Sequence, residues 1–124
     1  MQNDPLKVAL TRRLPDAVEK RLAELFDVRV RDSDTPLPKA ELIAHMQDVD
    51  VIVPTISDVI DGPMLAQAGP KLKLIANFGA GFDNIDVATA LHRGILVSNT
   101  PDVVTEDTAD ITIALMLGVT RRIP

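Results

Sequence analysis

The segment Asn77–Asp86, NFGAGFDNID, carries the clearest potential for chemistry in this chain. It follows an apolar run at 72–76 that predicts a buried strand, and it precedes a helical stretch at Val87–His92. A strand, a glycine turn and a helix start together present free backbone N–H groups to an anion at the positive end of a helix. Gly79 and Gly81 would let the backbone turn sharply and approach a ligand closely. The pattern predicts a cradle for a small anion, with a plain tight turn as the alternative.

The same segment does not fit the fingerprint of a dinucleotide-binding loop. The position three residues after Gly81 is Asn84 rather than glycine, and no acidic residue ends a strand at the distance that the fingerprint requires. Asp83, Asn84 and Asp86 are instead all capable N-caps for the helix that follows. The expected ligand is therefore a small anion rather than a dinucleotide.

Composition describes a globular chain and excludes several classes of partner. Of the 124 residues, 46% are hydrophobic and 25% are charged, which is ordinary for a domain with a buried core. A net charge of −5 argues against nucleic acid. The absence of cysteine removes disulfides and thiolate metal sites and fits a reducing cytoplasm. Ile111–Val119 is too short to cross a bilayer, and Met1–Pro5 is too short and polar for a signal peptide.

Strands and helices are expected to alternate along the chain. Strand-like runs recur roughly every 22 residues, starting near Leu6, Val28, Asp50, Leu72 and Ile95. Helical patterns lie between them, at Asp16–Phe26, Lys39–Gln47, Gly62–Ala68 and Asp86–His92. This order predicts βαβ units and an α/β fold, with a doubly wound, parallel, five-stranded sheet covered on both faces.

The loops after the strands should share one edge of this sheet, where doubly wound proteins bind ligands. Four loops are expected there, containing Thr11–Arg13, Pro54–Ser57, Gly79–Gly81 and Asn99–Pro101. His45 and His92 have no acid or nucleophile partner nearby in the sequence, so neither is assigned a catalytic role. The remaining acidic candidates are interpreted as loop and cap residues that form no metal site, namely Asp48, Asp50, Asp58 and Asp61.

The last segment predicts a helix that its own domain cannot fully bury. Thr105 can serve as its N-cap, and Arg121 and Arg122 near its end match the helix dipole. Its middle, Ile111–Val119, is apolar on every face, and such a helix must be buried all round. One side is expected to pack on the sheet. The other side implies a partner chain or a continuation of the chain beyond Pro124.

Several of these segments together resemble the D-isomer-specific 2-hydroxyacid dehydrogenases. The motif NFGAGFDNID is followed by GILVSNTPDVVTEDTADITIALML and TRRIP, and the opening LKVALTRRLP is similar to the glyoxylate/hydroxypyruvate reductase branch. The resemblance covers essentially the whole chain. It implies a flavodoxin-like substrate-binding domain at residues 1–101. It further implies an interdomain helix at 102–124, leading into a coenzyme domain that this chain lacks.

By this resemblance, the chain holds part of the substrate site. Gly79, Ala80 and Gly81 correspond to the turn whose backbone N–H groups hold the substrate carboxylate. Thr55, at the same predicted edge, is a further candidate for substrate binding. Ala80 and Thr108 correspond to residues that lie against the coenzyme, NAD or NADP. Several relatives carry Ser or Thr in place of Ala80, so any side-chain hydrogen bond at that position is lost here.

The activity that the resemblance implies is reduction of a small 2-oxo acid by hydride from NAD(P)H. The full-length enzyme is expected to be a cytoplasmic homodimer, without a nucleic-acid or membrane partner. The family's catalytic Arg, Glu and His follow the end of this chain. No residue here is therefore assigned as catalytic, and the fragment alone is expected to be inactive.

Three other classes of protein share parts of this pattern. A phosphoacceptor receiver domain needs an acidic pair, an Asp and a Lys after the first, third and fifth strands, where this chain has Thr11-Arg12, Pro54-Thr55 and Asn99-Thr100. A flavodoxin needs a glycine-rich phosphate loop after the first strand and aromatic residues around the flavin, but this chain has three Phe and no Trp or Tyr. A non-catalytic relative, such as the dehydrogenase-like corepressors, stays open as the alternative function.

Overall fold

The computed structural model describes residues 4–123, so the expectation for Met1–Pro5 lies largely outside the described residues. Strands and helices alternate along the chain, as the sequence predicts. The strands are β1 (Lys7–Leu10), β2 (Asp27–Arg29), β3 (Val51–Val53), β4 (Leu74–Ala76) and β5 (Leu96–Ser98). The helices are α1 (Asp16–Leu25), α2 (Lys39–Asp48), α3 (Gly62–Ala66), α4 (Val87–His92) and α5 (Thr105–Arg121).

All five strands lie parallel in one sheet, in the order β2-β1-β3-β4-β5. This is the strand order of flavodoxin-like doubly wound folds, which bind ligands beyond the carboxyl ends of the strands near β1 and β3. Along one row of the register, Val8 pairs with Val51, Val51 with Leu74, and Leu74 with Leu96. The predicted α/β fold class and parallel five-stranded sheet are confirmed.

The main core lies on one face of the sheet, under α2, α3 and α4. Ala9, Ile52 and Ile75 occupy equivalent positions on three neighbouring strands, and all three are fully buried. They form one cluster with apolar side chains of the three helices, including Leu42, Met46, Met64, Leu65 and Ala90. Burial of this cluster holds β1, β3 and β4 rigidly, and with them the start of each loop at their carboxyl ends.

Within residues 4–123, α1 alone covers the opposite face. Val8, Leu10 and Leu14 form a smaller buried cluster there, against which Leu22 of α1 packs. On the same face at β5, Leu96 is 63% exposed. The prediction of a sheet covered on both faces is therefore wrong at this end of the described chain, because α1 reaches only the strands around β1.

Helix α5 leaves the domain instead of packing on it. None of its 17 residues is buried, and Val119 is 78% exposed. The expectation that one side of this helix packs on the sheet is wrong. The predicted cap is wrong as well, since Thr105 is the first helical residue and Val104 holds the N-cap position without a side-chain hydrogen bond. Within the part of the chain that the structure describes, no helix has the length and apolar character needed to cross a membrane.

Candidate functional site

The glycine turn, defined as Gly79–Gly81, follows β4 at the carboxyl edge of the sheet. Each of its three carbonyl groups accepts a hydrogen bond from elsewhere in the chain. Gly79 O accepts from Thr100 N at 3.0 Å. Ala80 O accepts from Asn99 Nδ2 at 2.8 Å, and Gly81 O accepts from Asn77 Nδ2 at 2.8 Å. The carbonyl side of the turn is therefore fixed against the protein.

The N–H groups of the turn, unlike its carbonyl groups, are not all hydrogen-bonded within the described residues. Gly79 N donates to Asn77 O at 3.0 Å. The N–H groups of Ala80 and Gly81 have no acceptor among residues 4–123. Two adjacent donors without a partner, next to carbonyls that are all bonded, are suited to holding an anionic oxygen pair. This arrangement has the form of the predicted anion cradle.

The cradle does not use a helix N-terminus, and that part of the prediction is wrong. Helix α4 begins only at Val87, beyond Gly81 by an irregular stretch. Its N-cap is Asp86, whose carboxylate accepts from Thr89 N at 3.0 Å and from Thr89 Oγ1 at 2.7 Å. These two hydrogen bonds lower the pKa of the Asp86 carboxyl. Of the three candidate caps, Asp86 fills the position, and the helix end is closed by its own side chain.

The glycines of the turn are not needed for a left-handed backbone. Among the described residues, Gly94 is the glycine with a positive φ, at 73°. A β-carbon on Gly79 would overlap Cγ2 of Ile56, whereas one on Gly81 would meet no atom within 4 Å. A side chain at position 79 would therefore force Ile56 or the turn to move, whereas Gly81 leaves open space on the face of the turn.

Two asparagines that sequence reasoning did not single out as site residues contact each other, and one of them, Asn84, joins the loops after β3 and β4. Asn84 Nδ2 donates to Thr55 O at 3.2 Å and to Asp58 O at 3.0 Å, and it also lies 3.3 Å from Asn77 Oδ1. Asn77 is only 2% exposed. The sequence predicts Asn84 as a possible helix cap, but in the structure it connects the two loops. The signal available in the sequence was that Asn77 directly follows a strand.

Asp58 holds the loop after β3 against the end of β1. This carboxylate is 3% exposed, and its Oδ2 accepts from Thr11 Oγ1 at 2.6 Å and from Thr55 N at 2.8 Å. Thr55 Oγ1 lies 3.2 Å from the same oxygen. Asp61 is the N-cap of α3, in agreement with its interpretation as a loop or cap residue, and its carboxylate accepts from Met64 N at 2.9 Å. Residues 4–123 contain no group of acidic or histidine side chains suited to a metal ion.

The arginines after β1 bind the protein itself. Arg12 Nη2 donates to Ser57 Oγ at 2.7 Å and Arg12 Nη1 to Asp34 O, while its buried Nε has no partner among the described residues. Arg13 pairs with Asp16 at 3.2 Å on the surface. Neither arginine forms a hydrogen bond with the glycine turn.

A cleft of 390 Å³ lies beside the turn. It is lined by Phe78, Gly79, Ala80, Thr100, Val103 and Val104. Thr108, the second residue predicted to contact a coenzyme, is exposed in the first half of α5. Its backbone is part of the helix, because its N–H donates to Val104 O at 3.0 Å. Its hydroxyl forms no hydrogen bond with residues 4–123.

The two histidines lie near the amino ends of the strands, opposite the edge that carries the glycine turn. His45 is in the last turn of α2, shortly before β3 begins, and His92 ends α4 before β5 begins. Burial, followed by the charge of Arg29, lowers the pKa of His45. Since helices in βαβ units run back to the amino ends of the strands, both side chains are remote from the glycine turn.

Comparisons with known proteins agree with this architecture. The family model of the D-isomer specific 2-hydroxyacid dehydrogenase catalytic domain matches residues 8–122. The glyoxylate reductase of Pyrococcus horikoshii is 40% identical over 117 residues, which cover 94% of this chain and 35% of that protein. A crystal structure from Thermus thermophilus is 41% identical with a TM-score of 0.82, covering 95% of this chain and 38% of that one.

An NADPH-dependent glyoxylate/hydroxypyruvate reductase from Sinorhizobium meliloti, crystallised with NADP and malonate, is 36% identical with a TM-score of 0.71. The match covers 93% of this chain and 34% of that enzyme. The chain thus spans about a third of the length of the relatives that it matches. The family match extends from β1 into the last residues of α5 and includes the whole glycine turn. The chain belongs to the family of D-isomer specific 2-hydroxyacid dehydrogenases.

Proposed function

We propose that this chain is the substrate-binding part of an NAD(P)-dependent 2-hydroxyacid dehydrogenase of the glyoxylate/hydroxypyruvate reductase type. The observation that carries the proposal is the pair of N–H groups at Ala80 and Gly81, which have no acceptor within residues 4–123. A carboxylate offers two oxygens to two such donors, and hydrogen bonds to a charged acceptor are the stronger kind. The similarity to glyoxylate reductases supports a small 2-oxo acid as the substrate class.

The turn would bind the substrate through its backbone, while neighbouring residues shape the site. Gly79 contributes by its lack of a side chain, which lets Ile56 approach the turn. Thr55 remains a predicted substrate contact. Its hydroxyl lies 3.2 Å from Asp58 Oδ2 and 2.9 Å from Ser57 Oγ, so both neighbours orient the oxygen that would face the substrate.

The cleft beside the turn fits a coenzyme contact. Ala80 borders this cleft, and the hydroxyl of Thr108 has no partner in the described part of the chain. We propose both residues as contacts of NAD or NADP, which supplies hydride to the carbonyl carbon of the 2-oxo acid. The residues described here bind and orient the acid, and none of them is assigned the proton transfer that accompanies reduction.

We also propose the division of the chain into a substrate-binding domain, 1–101, and an interdomain helix, 102–124. Asp102 has a φ of 63°, and this left-handed conformation shortly before α5 supports a boundary at this position. The exposed apolar surface of α5 supports its burial against a coenzyme domain in the longer protein. That protein would act in the cytoplasm as a homodimer.

The proposal can be tested by titrating the chain with glycolate and following its backbone amides by NMR. Ethylene glycol is the matched control, because it replaces the carboxylate of glycolate by a hydroxymethyl group. We expect glycolate to shift the amide signals of Ala80 and Gly81, and ethylene glycol to leave them in place. Equal responses to the two compounds, or no response to either, would contradict the proposed carboxylate site.

A further inference from the structure

The two N–H groups of the cradle belong to peptide units that consecutive residues after β5 hold in place. A trans peptide unit is planar, and its C=O and N–H bonds point in opposite directions. The carbonyl of Gly79 shares a unit with the N–H of Ala80 and accepts from Thr100 N at 3.0 Å. The carbonyl of Ala80 shares a unit with the N–H of Gly81 and accepts from Asn99 Nδ2 at 2.8 Å. One hydrogen bond is made by backbone and the other by a side chain.

We propose that Asn99 is a positioning residue for the substrate carboxylate. By holding the Ala80 carbonyl, its amide fixes the direction in which the Gly81 N–H points. This inference rests on the proposed function of the turn. A donor on the carbonyl also polarises the peptide unit, which makes the N–H at its other end a better donor.

The contacts of Asn99 support this assignment. Its bond to Ala80 spans 19 residues of sequence, and its side chain forms no other hydrogen bond with residues 4–123. Asn99 is half-buried, so its amide does not fill a core position. Thr100 acts through its backbone and is not altered by substitution of its side chain. Of the two hydrogen bonds that hold these peptide units, only the one from Asn99 can therefore be removed by substitution of a side chain.

Three variants and a matched control separate positioning from other effects. Asn99→Ala removes the donor, and Asn99→Asp replaces it with an acceptor of similar shape. Asn99→Gln retains an amide on a longer side chain and tests for rescue. The control is Ser98→Asp, which adds the same negative charge as Asn99→Asp but one residue earlier. Ser98 is exposed, and its side chain forms no hydrogen bond with the described residues.

The first measurement needs no ligand. We expect Asn99→Ala and Asn99→Asp to change the NMR shift and hydrogen exchange of the Gly81 amide more than those of the Ala80 amide, which Thr100 still fixes. Ser98→Asp should change neither strongly. An unchanged Gly81 amide in both Asn99 variants would overturn the proposal, whatever the outcome with glycolate.

The second measurement is glycolate affinity. Loss of one hydrogen bond at the cradle should weaken binding about two- to tenfold in Asn99→Ala and more in Asn99→Asp, with partial recovery in Asn99→Gln. Affinity equal to that of the wild type in Asn99→Ala would overturn the proposal. If the wild-type chain itself does not respond to glycolate, the proposed function fails, while the ligand-free measurement still decides whether Asn99 orients Gly81.

Discussion

Cγ2 of Ile56 occupies the space that a β-carbon on Gly79 would need. The loop after β3 thus packs directly on the backbone of the glycine turn, although Ile56 itself is 67% exposed. An isolated parallel bridge between Thr55 and Phe78 lies one residue before this contact in both loops. Glycine at position 79 is explained by this contact, because its backbone does not require a positive φ.

The first prediction follows from this contact. Gly79→Ala should destabilise the chain by about 1–3 kcal/mol, because the added methyl must displace Ile56 or the turn, and it should also weaken glycolate binding. Gly81→Ala is the control, since its added carbon meets no atom within 4 Å. Chemical denaturation measures the stability, and Ile56→Ala combined with Gly79→Ala should recover much of the loss. Equal destabilisation by the two glycine variants would contradict the explanation.

The second prediction uses the open space at Gly81. Gly81→Val should leave the fold of this chain intact, because an added β-carbon meets no atom within 4 Å, yet it should block the approach of a carboxylate to the N–H groups. The lost charge-assisted hydrogen bonds correspond to about 1.5–3 kcal/mol each. Ala80→Ser, which keeps the backbone donors, should bind glycolate normally. A Gly81→Val chain with wild-type affinity for glycolate would falsify the cradle assignment.

The third prediction concerns the buried carboxylate of Asp58. Thr11 is fully buried and donates to Asp58 Oδ2 at 2.6 Å. Thr11→Val preserves the shape of the side chain but removes this donor, and the cost should be about 1.5–3 kcal/mol of unfolding free energy. Thr11→Ser, which retains the hydroxyl, is the matched control. In thermal or urea unfolding, the Thr11→Ser variant should be more stable than the Thr11→Val variant. The reverse order would show that packing rather than the hydrogen bond dominates at this position.

The order of strands and helices was predictable because it depends on local patterns. Apolar runs of strand length alternate with helical stretches at a constant spacing, and the known geometry of βαβ units converts that order into a parallel sheet. The place of the glycine turn followed from the same rule, since it directly follows β4. These features need no knowledge of which distant residues touch.

The contacts that shape the site were not predictable, because they join residues that are distant in sequence. Asn99 reaches Ala80 across 19 positions, and Asn84 reaches the carbonyl of Asp58 across 26. An asparagine has equal potential as a cap, a turn residue or a tertiary donor, and only the packed fold selects one of these roles. The burial of α5 was mispredicted for a related reason, since an apolar pattern states that a helix needs cover but does not identify what covers it.

The fourth prediction concerns pH. Hydrogen bonds from Thr89 lower the pKa of Asp86 in the folded chain. A carboxyl whose folded pKa is depressed stabilises the fold above its unfolded pKa, near 4, and loses that contribution as the pH falls through the folded value. Asp86→Asn retains a cap acceptor without the charge. The stability difference between wild type and Asp86→Asn should be largest at neutral pH and shrink in acid.

Urea titrations at a series of pH values measure this difference directly. Asp61 serves as the internal comparison, because hydrogen bonds from Lys39 and from Met64 N lower its pKa in the same direction. Asp61→Asn should therefore show the same trend. A difference between wild type and Asp86→Asn that stays constant across the acid range would argue against a pKa effect at the cap.

The fifth prediction concerns helix α5 in the chain by itself. Apolar side chains on all sides of the helix are exposed, among them Ile113 at 57% and Val119 at 78%. Proteins rarely expose apolar patches of more than a few hundred Å², and burial of such a patch is worth about 25 cal/mol per Å². We therefore expect the isolated chain either to associate through α5 or to exchange the amide hydrogens of this helix rapidly.

Light scattering and hydrogen exchange together distinguish these outcomes. Association should fall with dilution, and it should fall further in a Leu115→Glu variant, which places a charge in the apolar surface without touching the buried core. Thr112→Glu is the control on the same helix, because it adds the same charge at an exposed position that is already polar. A monodisperse monomer in which the amides of α5 are strongly protected would contradict the prediction, since a lone, exposed helix of this length has no tertiary packing to protect it.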